Sequence, residues 1–361
     1  MMKKKLLFFG YTMDMGGAEK VMTDFFKVLA PQYDITLALL QAKGELMQEL
    51  PENVEVVQMR NGLVPYILFR FVPFFRKRKI NKIANTHNYA AAIGFIEGRS
   101  ATWVADIRKP LRKIAWVHND VNRFDIGISE TEAADSYAKM DAVVLVSEDA
   151  KQIFVDKYGI PANRVTVLHN LIDEVGILQK AQETVEPNDR FTFVNVGRMR
   201  PQKRQDRLVE IARRLKDTGF TFKIQIIGSG SEEEAIKEQI QRLEVSDVVE
   251  LLGLKTNPYP YVKQADCFVL TSDFEGFGIA VKEAALLGTP VISTSVTGVR
   301  EVLRDGEYGI LCPVDTDAVY EAMASVLANP AILTDFRTKL KTYDCSNQSI
   351  VRKLFEIIES E

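Results

Sequence analysis

Residues 266–295 read DCFVLTSDFEGFGIAVKEAALLGTPVISTS, and this stretch decides the fold. It opens with a short apolar run, Asp266 to Ser272, and passes through Glu275-Gly276-Phe277-Gly278. A helical period follows over Gly278 to Leu287, and a second apolar run closes the stretch at Thr289 to Ser295. Short runs of Val, Ile, Leu and Phe separated by helix-length segments mark parallel strands joined by crossover helices. The stretch is one strand-helix-strand unit of an open α/β sheet, and in such sheets ligands sit beyond the carboxyl ends of the strands.

The same alternation continues on both sides. Downstream comes GILCP at 309–313; upstream come FTFVNVGRM at 191–199, FKIQIIG at 222–228 and VVELLG at 248–253, with helical segments at Gln205 to Lys216 and Glu232 to Leu243. A second series fills the first half: KKLLFFG, DITLALL, VEVVQM, AAIGFI, KIAWVH, DAVVLVS and RVTVLH, with helices predicted at Ala18 to Leu29 and Glu148 to Tyr158. Between the series lies NLIDEVGILQKAQETVEPNDR, a polar segment with Pro187 and no strong period. The expected organisation is two doubly wound Rossmann-like domains at 1–172 and 191–345, a linker at 173–190, and a C-terminal helix within 346–361 that packs on either domain.

Composition narrows the function classes. The chain has 361 residues, 46% hydrophobic and 26% charged, with a net charge of -3, so no overall excess of positive charge points to nucleic acid. The surplus is local: residues 1–170 carry 23 basic and 19 acidic groups, the remainder 23 and 30. Cys267, Cys312 and Cys345 have neither metal-ligand nor C-x-x-C spacing, which points to a reducing cytoplasm rather than a disulfide framework. No apolar run is long enough to span a bilayer, since Leu63 to Phe75 is cut by Pro65, Arg70 and Pro73.

Several clusters carry candidate chemistry. Glu275 and Glu283 bracket a predicted helix start, where the amides of Gly276, Phe277 and Gly278 are free for a phosphate or a polyhydroxyl ligand. On spacing alone, two unrelated glutamates on a solvated helix is the commoner outcome. Arg198 and Lys203 follow a strand at another helix start, as either a diphosphate clamp or a basic surface loop with Arg200 and Arg204. Gly16 and Gly17 allow close backbone approach after the first strand, or make a plain tight turn. His118 ends the strand KIAWVH and is the best placed of the three histidines. GSGS at 228–231 lacks the third glycine of a dinucleotide fingerprint, and Asp315-Thr316-Asp317 reads as a helix cap before it reads as a metal site. No acidic residue lies between Glu55 and Glu97, whereas Arg60, Arg70, Arg76, Lys77, Arg78, Lys79 and Lys82 do, among aromatic residues that include Phe74 and Phe75. Such a segment suits an anionic leaflet; domain core with solvated charges is the other reading.

Taken together, GGAEK, WVHND, LHNLID, VGRMRPQKR, GSGSEEE and EGFGIAVKEAALLGTPVISTSVTGVREVL resemble glycosyltransferase family 4 along nearly the whole chain. These are retaining enzymes of the GT-B fold, with two Rossmann-like domains facing a central cleft. The E-x7-E element between a strand and GTPVIST is the most specific match, and it reverses the reading from spacing. The resemblance implies an N-terminal acceptor-binding domain and a C-terminal nucleotide-sugar domain. Arg198 and Lys203 would bind the donor diphosphate, Glu283 the ribose, and Glu275 with Gly276, Phe277, Gly278 and Ile279 the transferred sugar. Gly16 and Gly17 would border the donor phosphate and the acceptor, His118 would approach the sugar near the reacting face, and Gly253 to Pro258, with Leu254 and Lys255, would wall the base. Glu275, His118, Arg198 and Lys203 are thus the catalytic candidates. GSGS and the missing glycine after Asn170 depart from the family pattern.

The implied function is metal-independent, retaining transfer from a nucleotide sugar, a UDP-sugar by expectation, to a lipid-linked or oligosaccharide acceptor in cell-surface glycan synthesis. No cofactor is implied. The site of action is the cytoplasmic face of the membrane, with Arg70, Phe74, Phe75, Arg76, Lys77, Arg78 and Lys79 as contacts. A non-catalytic partner subunit and a sugar-nucleotide epimerase of the same fold are the alternatives.

Overall fold

The computed structural model describes residues 3–60, 73–124 and 126–360. The chain divides into two compact units, one of Met1–Leu171 with Asn347–Glu361 and the other of Ile172–Ser346. In the first, strands β1 (Lys4–Gly10), β2 (Tyr33–Leu39), β3 (Val54–Gln58), β4 (Tyr89–Gly94), β5 (Arg112–Val117), β6 (Ala142–Leu145) and β7 (Val165–Val167) form a sheet in the order β3-β2-β1-β4-β5-β6-β7. In the second, β8 (Thr192–Val196), β9 (Lys223–Ile227), β10 (Val249–Gly253), β11 (Cys267–Leu270), β12 (Val291–Thr294) and β13 (Gly309–Cys312) run in the order β10-β9-β8-β11-β12-β13. All the recorded pairings are parallel. These are two Rossmann-like domains, as the alternation predicts, and they fit the GT-B fold that the family resemblance implies.

The strands read as continuous apolar runs because helices cover both faces of each sheet. Leu6, Leu7, Phe8 and Phe9 of β1 are all fully buried, although successive side chains point to opposite faces. One face takes the helix Gly17–Leu29 through Val21, Met22, Phe25, Phe26 and Leu29, with the Phe8 and Phe26 rings edge-to-face at 4.8 Å. In the second unit the helix Gln205–Asp217 buries Leu208, Val209, Ile211, Ala212 and Leu215. Each of these side chains larger than alanine contributes about 1.5–3 kcal/mol by leaving water. The order also sets where ligands can sit: it reverses between β1 and β4 in the first sheet and between β8 and β11 in the second, opening a crevice beyond their carboxyl ends.

Residues 173–190 are not simply a linker. They lie in the second unit and hold the helix Glu174–Lys180, capped by Asp173, whose Oδ1 accepts from the Gly176 amide at 3.0 Å. Ile177 and Ala181 pack with Tyr259 and Cys345. A seven-residue helix with one fully buried apolar position inside it is too short to show a period. The last helix, Asn347–Glu359, belongs to the first unit: the Phe355 and Tyr33 rings stack at 6.0 Å, and Arg112 Nε donates to the Ile357 carbonyl at 3.0 Å.

Candidate active site

The second unit gathers its chemistry at the β8/β11 switch point. Lys203 lies on the loop after β8 and Glu275 on the loop after β11; since these strands are neighbours, the two side chains meet. Lys203 Nζ donates to both Glu275 oxygens at 2.7 Å. The carboxylate is only 7% exposed, and the Ser272 hydroxyl donates to its Oε1 at 2.6 Å. A buried carboxylate is tolerated where its lone pairs are answered in this way. Lys203 carries three N–H groups, so a donor remains for an anion beside the pair.

A lattice of bonds holds the two loops in register. The Thr271 hydroxyl donates to the Lys203 and Arg204 carbonyls at 3.1 and 2.9 Å, and the Asp273 amide donates to the Gln202 carbonyl at 2.8 Å. Arg207 donates to the Thr271 carbonyl at 2.9 Å and pairs with Asp273 at 2.8 Å, while Arg204 reaches Asp273 at 3.2 Å. Arg204 adopts a left-handed conformation, φ 52°, which aims its guanidinium at Asp206 and Asp273. It is therefore a loop fastener and not a loose surface charge.

The helix carrying Glu283 begins after Gly278, which has φ 82°; a Cβ there would come within 2.6 Å of Val299 Cγ2. Only glycine accepts both conditions. No described side chain caps this helix, whose start at Gly278 lies three residues after Glu275. Glu283 lies inside the helix, 8% exposed, and its Oε1 accepts from the Tyr259 hydroxyl at 3.2 Å. Phe277 is buried, Gly276 is buried, and Ile279 is half-buried at the helix start. Leu254 is 52% exposed and Lys255 half-buried at the end of β10, with Lys255 Nζ over the Tyr261 ring at 5.7 Å. Lys282 is buried, and its amine is pushed down to about 8 by desolvation.

Arg198 is half-buried on the loop from β8. That loop is shaped by GSGS: the Met199 amide donates to the Ser229 carbonyl at 2.9 Å, and the Glu232 amide donates to the Met199 carbonyl at 3.1 Å. Gly228, at φ 145°, faces the Gly197 carbonyl so closely that any Cβ would overlap it. The glycines are thus explained by loop packing. Asp315 caps the helix Thr316–Ala328 by accepting from the Ala318 amide at 3.0 Å, and Asp317 pairs with Arg214 at 2.6 Å.

On the first unit, Gly16 and Gly17 open the helix after β1, and no described side chain caps it. The preceding Met15 amide donates to Glu45 Oε2 at 3.0 Å. His118 follows β5 and is 6% exposed, between Phe95, with ring centroids 4.8 Å apart, and Trp116, stacked at 6.0 Å. Burial pushes its imidazole down to about 3, against a weak opposing interaction with the Phe95 backbone, so the ring is neutral. Among the described residues neither ring nitrogen has a hydrogen-bond partner of good geometry.

Of the basic segment, Arg70 lies outside the described residues. The helix Pro73–Ala84 follows, with Phe74 66% and Phe75 53% exposed, their rings 5.8 Å apart. Arg78 and Lys82 are exposed and Lys79 half-buried. Arg76 corrects the expectation of a surface contact: it is 8% exposed and pairs with Asp106 at 3.2 Å. Lys77 is exposed but shares Asp106 at 3.1 Å. Sequence reasoning missed Ser272, Thr271, Asp273 and Arg207 around Glu275. It also missed Glu97, a carboxylate 2% exposed beyond β4, whose signal was its place at the end of the strand AAIGFI.

Comparison with known proteins decides the family. The family described as Glycosyltransferase Family 4 matches residues 15–175, and Glycosyl transferases group 1 matches residues 177–344. The chain belongs to glycosyltransferase family 4. It is a glycosyltransferase. A similar enzyme of Campylobacter jejuni, named N-acetylgalactosamine-N,N'-diacetylbacillosaminyl-diphospho-undecaprenol 4-alpha-N-acetylgalactosaminyltransferase, is 25% identical over 94% of each chain. The amylovoran biosynthesis glycosyltransferase AmsK of Erwinia amylovora is 31% identical over 56% of this chain and 52% of its own. Among solved structures, Anabaena Alr3699/HepE in complex with UDP and glucose superposes with a TM-score of 0.79 at 19% identity, covering 99% and 100% of the two chains. At that identity the likeness establishes the fold.

Proposed function

We propose that this family 4 glycosyltransferase moves a sugar from a UDP-sugar to a lipid-linked glycan, with retention at the anomeric carbon and without a metal. The carrying observation is the Lys203–Glu275–Ser272 constellation beside the uncapped helix start at Gly278. Lys203 and Arg198 take the diphosphate, since a point charge and a planar fork match its oxygens. Glu275 and the amides from Gly276 to Gly278 hold the sugar hydroxyls, and Glu283 holds the ribose. As the anomeric bond to phosphate lengthens, charge builds on the leaving diphosphate, and these preorganised donors stabilise it. The acceptor hydroxyl attacks the same face of an oxocarbenium-like centre, its proton passing to a donor phosphate oxygen.

The UDP assignment is supported by the UDP-bound neighbour in Anabaena, and the lipid-linked acceptor by the diphospho-undecaprenol substrate in the Campylobacter relative's name. Metal independence is supported by the two aspartates of the D-x-D being engaged as a cap and an ion pair. The membrane face is supported by Phe74, Phe75, Arg78 and Lys82 exposed on one helix.

The test is a thermal-shift panel of UDP- and GDP-sugars followed by product analysis with a short-chain polyprenyl-diphosphate glycan. A UDP-sugar should raise the melting temperature by mass action, and the product should keep the donor's anomeric configuration by NMR. Stabilisation by GDP-sugars alone, an inverted product, or a new nucleotide sugar formed without acceptor would overturn the respective part of the proposal.

A further inference from the structure

The two strands at the switch point of the second sheet part before their outer partners do. β8 and β11 pair at Phe193–Cys267 and Val194–Phe268, and their recorded pairing ends there. On the far side of each strand pairing runs further: β8 stays with β9 to Val196–Ile227, and β11 stays with β12 to Leu270–Ser293. The sheet is therefore forked from Asn195 and Val269 onward, each arm held by its outer neighbour. At the base of the fork a side chain takes over from the main-chain ladder: Asn195 Nδ2 donates to the Val269 carbonyl at 2.8 Å. Asn195 is 2% exposed and Val269 is fully buried. Among the described residues Asn195 Oδ1 has no hydrogen-bond partner of good geometry. A buried amide oxygen in that position is a cost to the fold, which an apolar side chain of similar size would avoid.

The arms of the fork lead to the two halves of the Lys203–Glu275 pair. Two residues beyond Asn195, a Cβ on Gly197 would stand 4.0 Å from Lys203 Cδ and Cε, so the lysine stem runs along the end of β8. Beyond β11, the Thr294 hydroxyl donates to the Ser272 carbonyl at 2.7 Å, which ties the serine that holds Glu275 to the end of β12. The bonds from Thr271 and Asp273 to the Lys203 loop cross further out, and their geometry depends on the angle at which the arms leave the sheet.

We infer that Asn195 is a positioning residue of the donor site, a side-chain bridge that sets the spread of β8 and β11 and with it the approach of Lys203 to Glu275. The inference rests on the roles proposed above for that pair. It does not require Asn195, buried within the sheet, to touch the donor.

Asn195→Leu keeps the size of the side chain and removes the bridge. The Asp273 amide, bonded to the Gln202 carbonyl at 2.8 Å, reports the register of the two loops by hydrogen exchange, and the Ile224 amide, bonded to the Val248 carbonyl at 2.7 Å, reports the sheet away from the fork. In the variant the Asp273 amide should exchange at least about 10-fold faster while Ile224 keeps its wild-type rate, because exchange separates a local opening from global unfolding. The melting temperature should hold or rise, and kcat/KM for the UDP-sugar should fall about 100-fold, the scale of a slightly misplaced reacting group. A residue that only stabilised the fold would instead lower the melting temperature and speed both amides together. That result overturns the inference, as does wild-type exchange at Asp273 or wild-type kcat/KM. If the leucine variant does not fold, Asn195→Ser shortens the side chain without adding bulk and is read by the same two amides and by kcat/KM. Wild-type protein that neither binds nor transfers a UDP-sugar would count against the proposed reaction, while the two amides still decide the bridge.

Discussion

Replacing Ser272 by alanine isolates the orientation of the Glu275 carboxylate from its charge. Ser272 is fully buried, and its hydroxyl lies 2.6 Å from Glu275 Oε1. Deleting it removes one bond to an ionised acceptor, worth about 1.5–3 kcal/mol. Glu275 is not left unpaired, because Lys203 still touches both oxygens at 2.7 Å. The loss should therefore sit near about 1.5–2 kcal/mol, the low end for such bonds. Freed from Ser272, the carboxylate follows Lys203 and turns away from the sugar hydroxyls. At about 1.4 kcal/mol per tenfold change, kcat/KM for the UDP-sugar should fall roughly 10- to 30-fold. UDP lacks the sugar, so its dissociation constant should not change. The assay is steady-state transfer with calorimetry for UDP and the UDP-sugar in parallel. Equal losses for UDP and UDP-sugar would show general damage to the loop. A variant at wild-type kcat/KM would show that Lys203 alone orients Glu275, or that Glu275 does not meet the sugar.

Three further outcomes follow from the same residues. His118 has its basicity lowered in the folded state, so its contribution to stability is present above its ordinary value near 6.5 and is lost as pH falls toward 3, by about 1.4 kcal/mol per pH unit at most; denaturant titrations at pH 7 and 5 should show a steeper loss for the wild type than for His118→Gln. Transfer should survive dialysis against excess EDTA, and complete loss restored by Mg²⁺ or Mn²⁺ would overturn the metal-free mechanism. Co-sedimentation with anionic liposomes should fall when Phe74, Phe75, Arg78 and Lys82 are replaced by serine, with each exposed cation contributing about 1 kcal/mol before screening; unchanged binding by this folded variant would move the membrane contact elsewhere. Arg76 is left in place in that variant, because removing it would strip Asp106 of its buried partner.

What the sequence made legible follows from the range over which each signal acts. Strands buried on both faces announce themselves as apolar runs, and the helix Glu148–Tyr158 is bounded by local chemistry: Ser147 accepts from the Ala150 amide at 3.1 Å, and Gly159 closes it at φ 63°. Lys203 and Glu275 are 72 positions apart, and their meeting depends on β8 lying next to β11. Nothing local states that neighbour relation, so Glu275 is reached through the E-x7-E resemblance and Lys203 through its place after a strand and the VGRMRPQKR match, neither through their contact. Ser272 and Glu97 were missed for the same reason: a serine after a strand and a glutamate after another look ordinary until the strand order brings them to a switch point. The error at Arg76 differs in kind. In FFRKRKINKI the positions 76, 80 and 83 fall on one helical face, and Arg76, Ile80 and Ile83 are indeed buried together. The period thus placed one cation of the run inward, but the residue that makes an inward arginine tolerable is Asp106, 30 positions later on another element. Counting charges treats a run of cations as a surface property, whereas each side chain's direction is set by its helix face and its fate by a partner that only the fold supplies. The same logic separates Phe74 and Phe75, which face solvent at the start of this helix, from the apolar residues that seat it. Among the described residues of the basic segment, those two rings with Arg78 and Lys82 are exposed, and they are the ones the proposed leaflet contact would use.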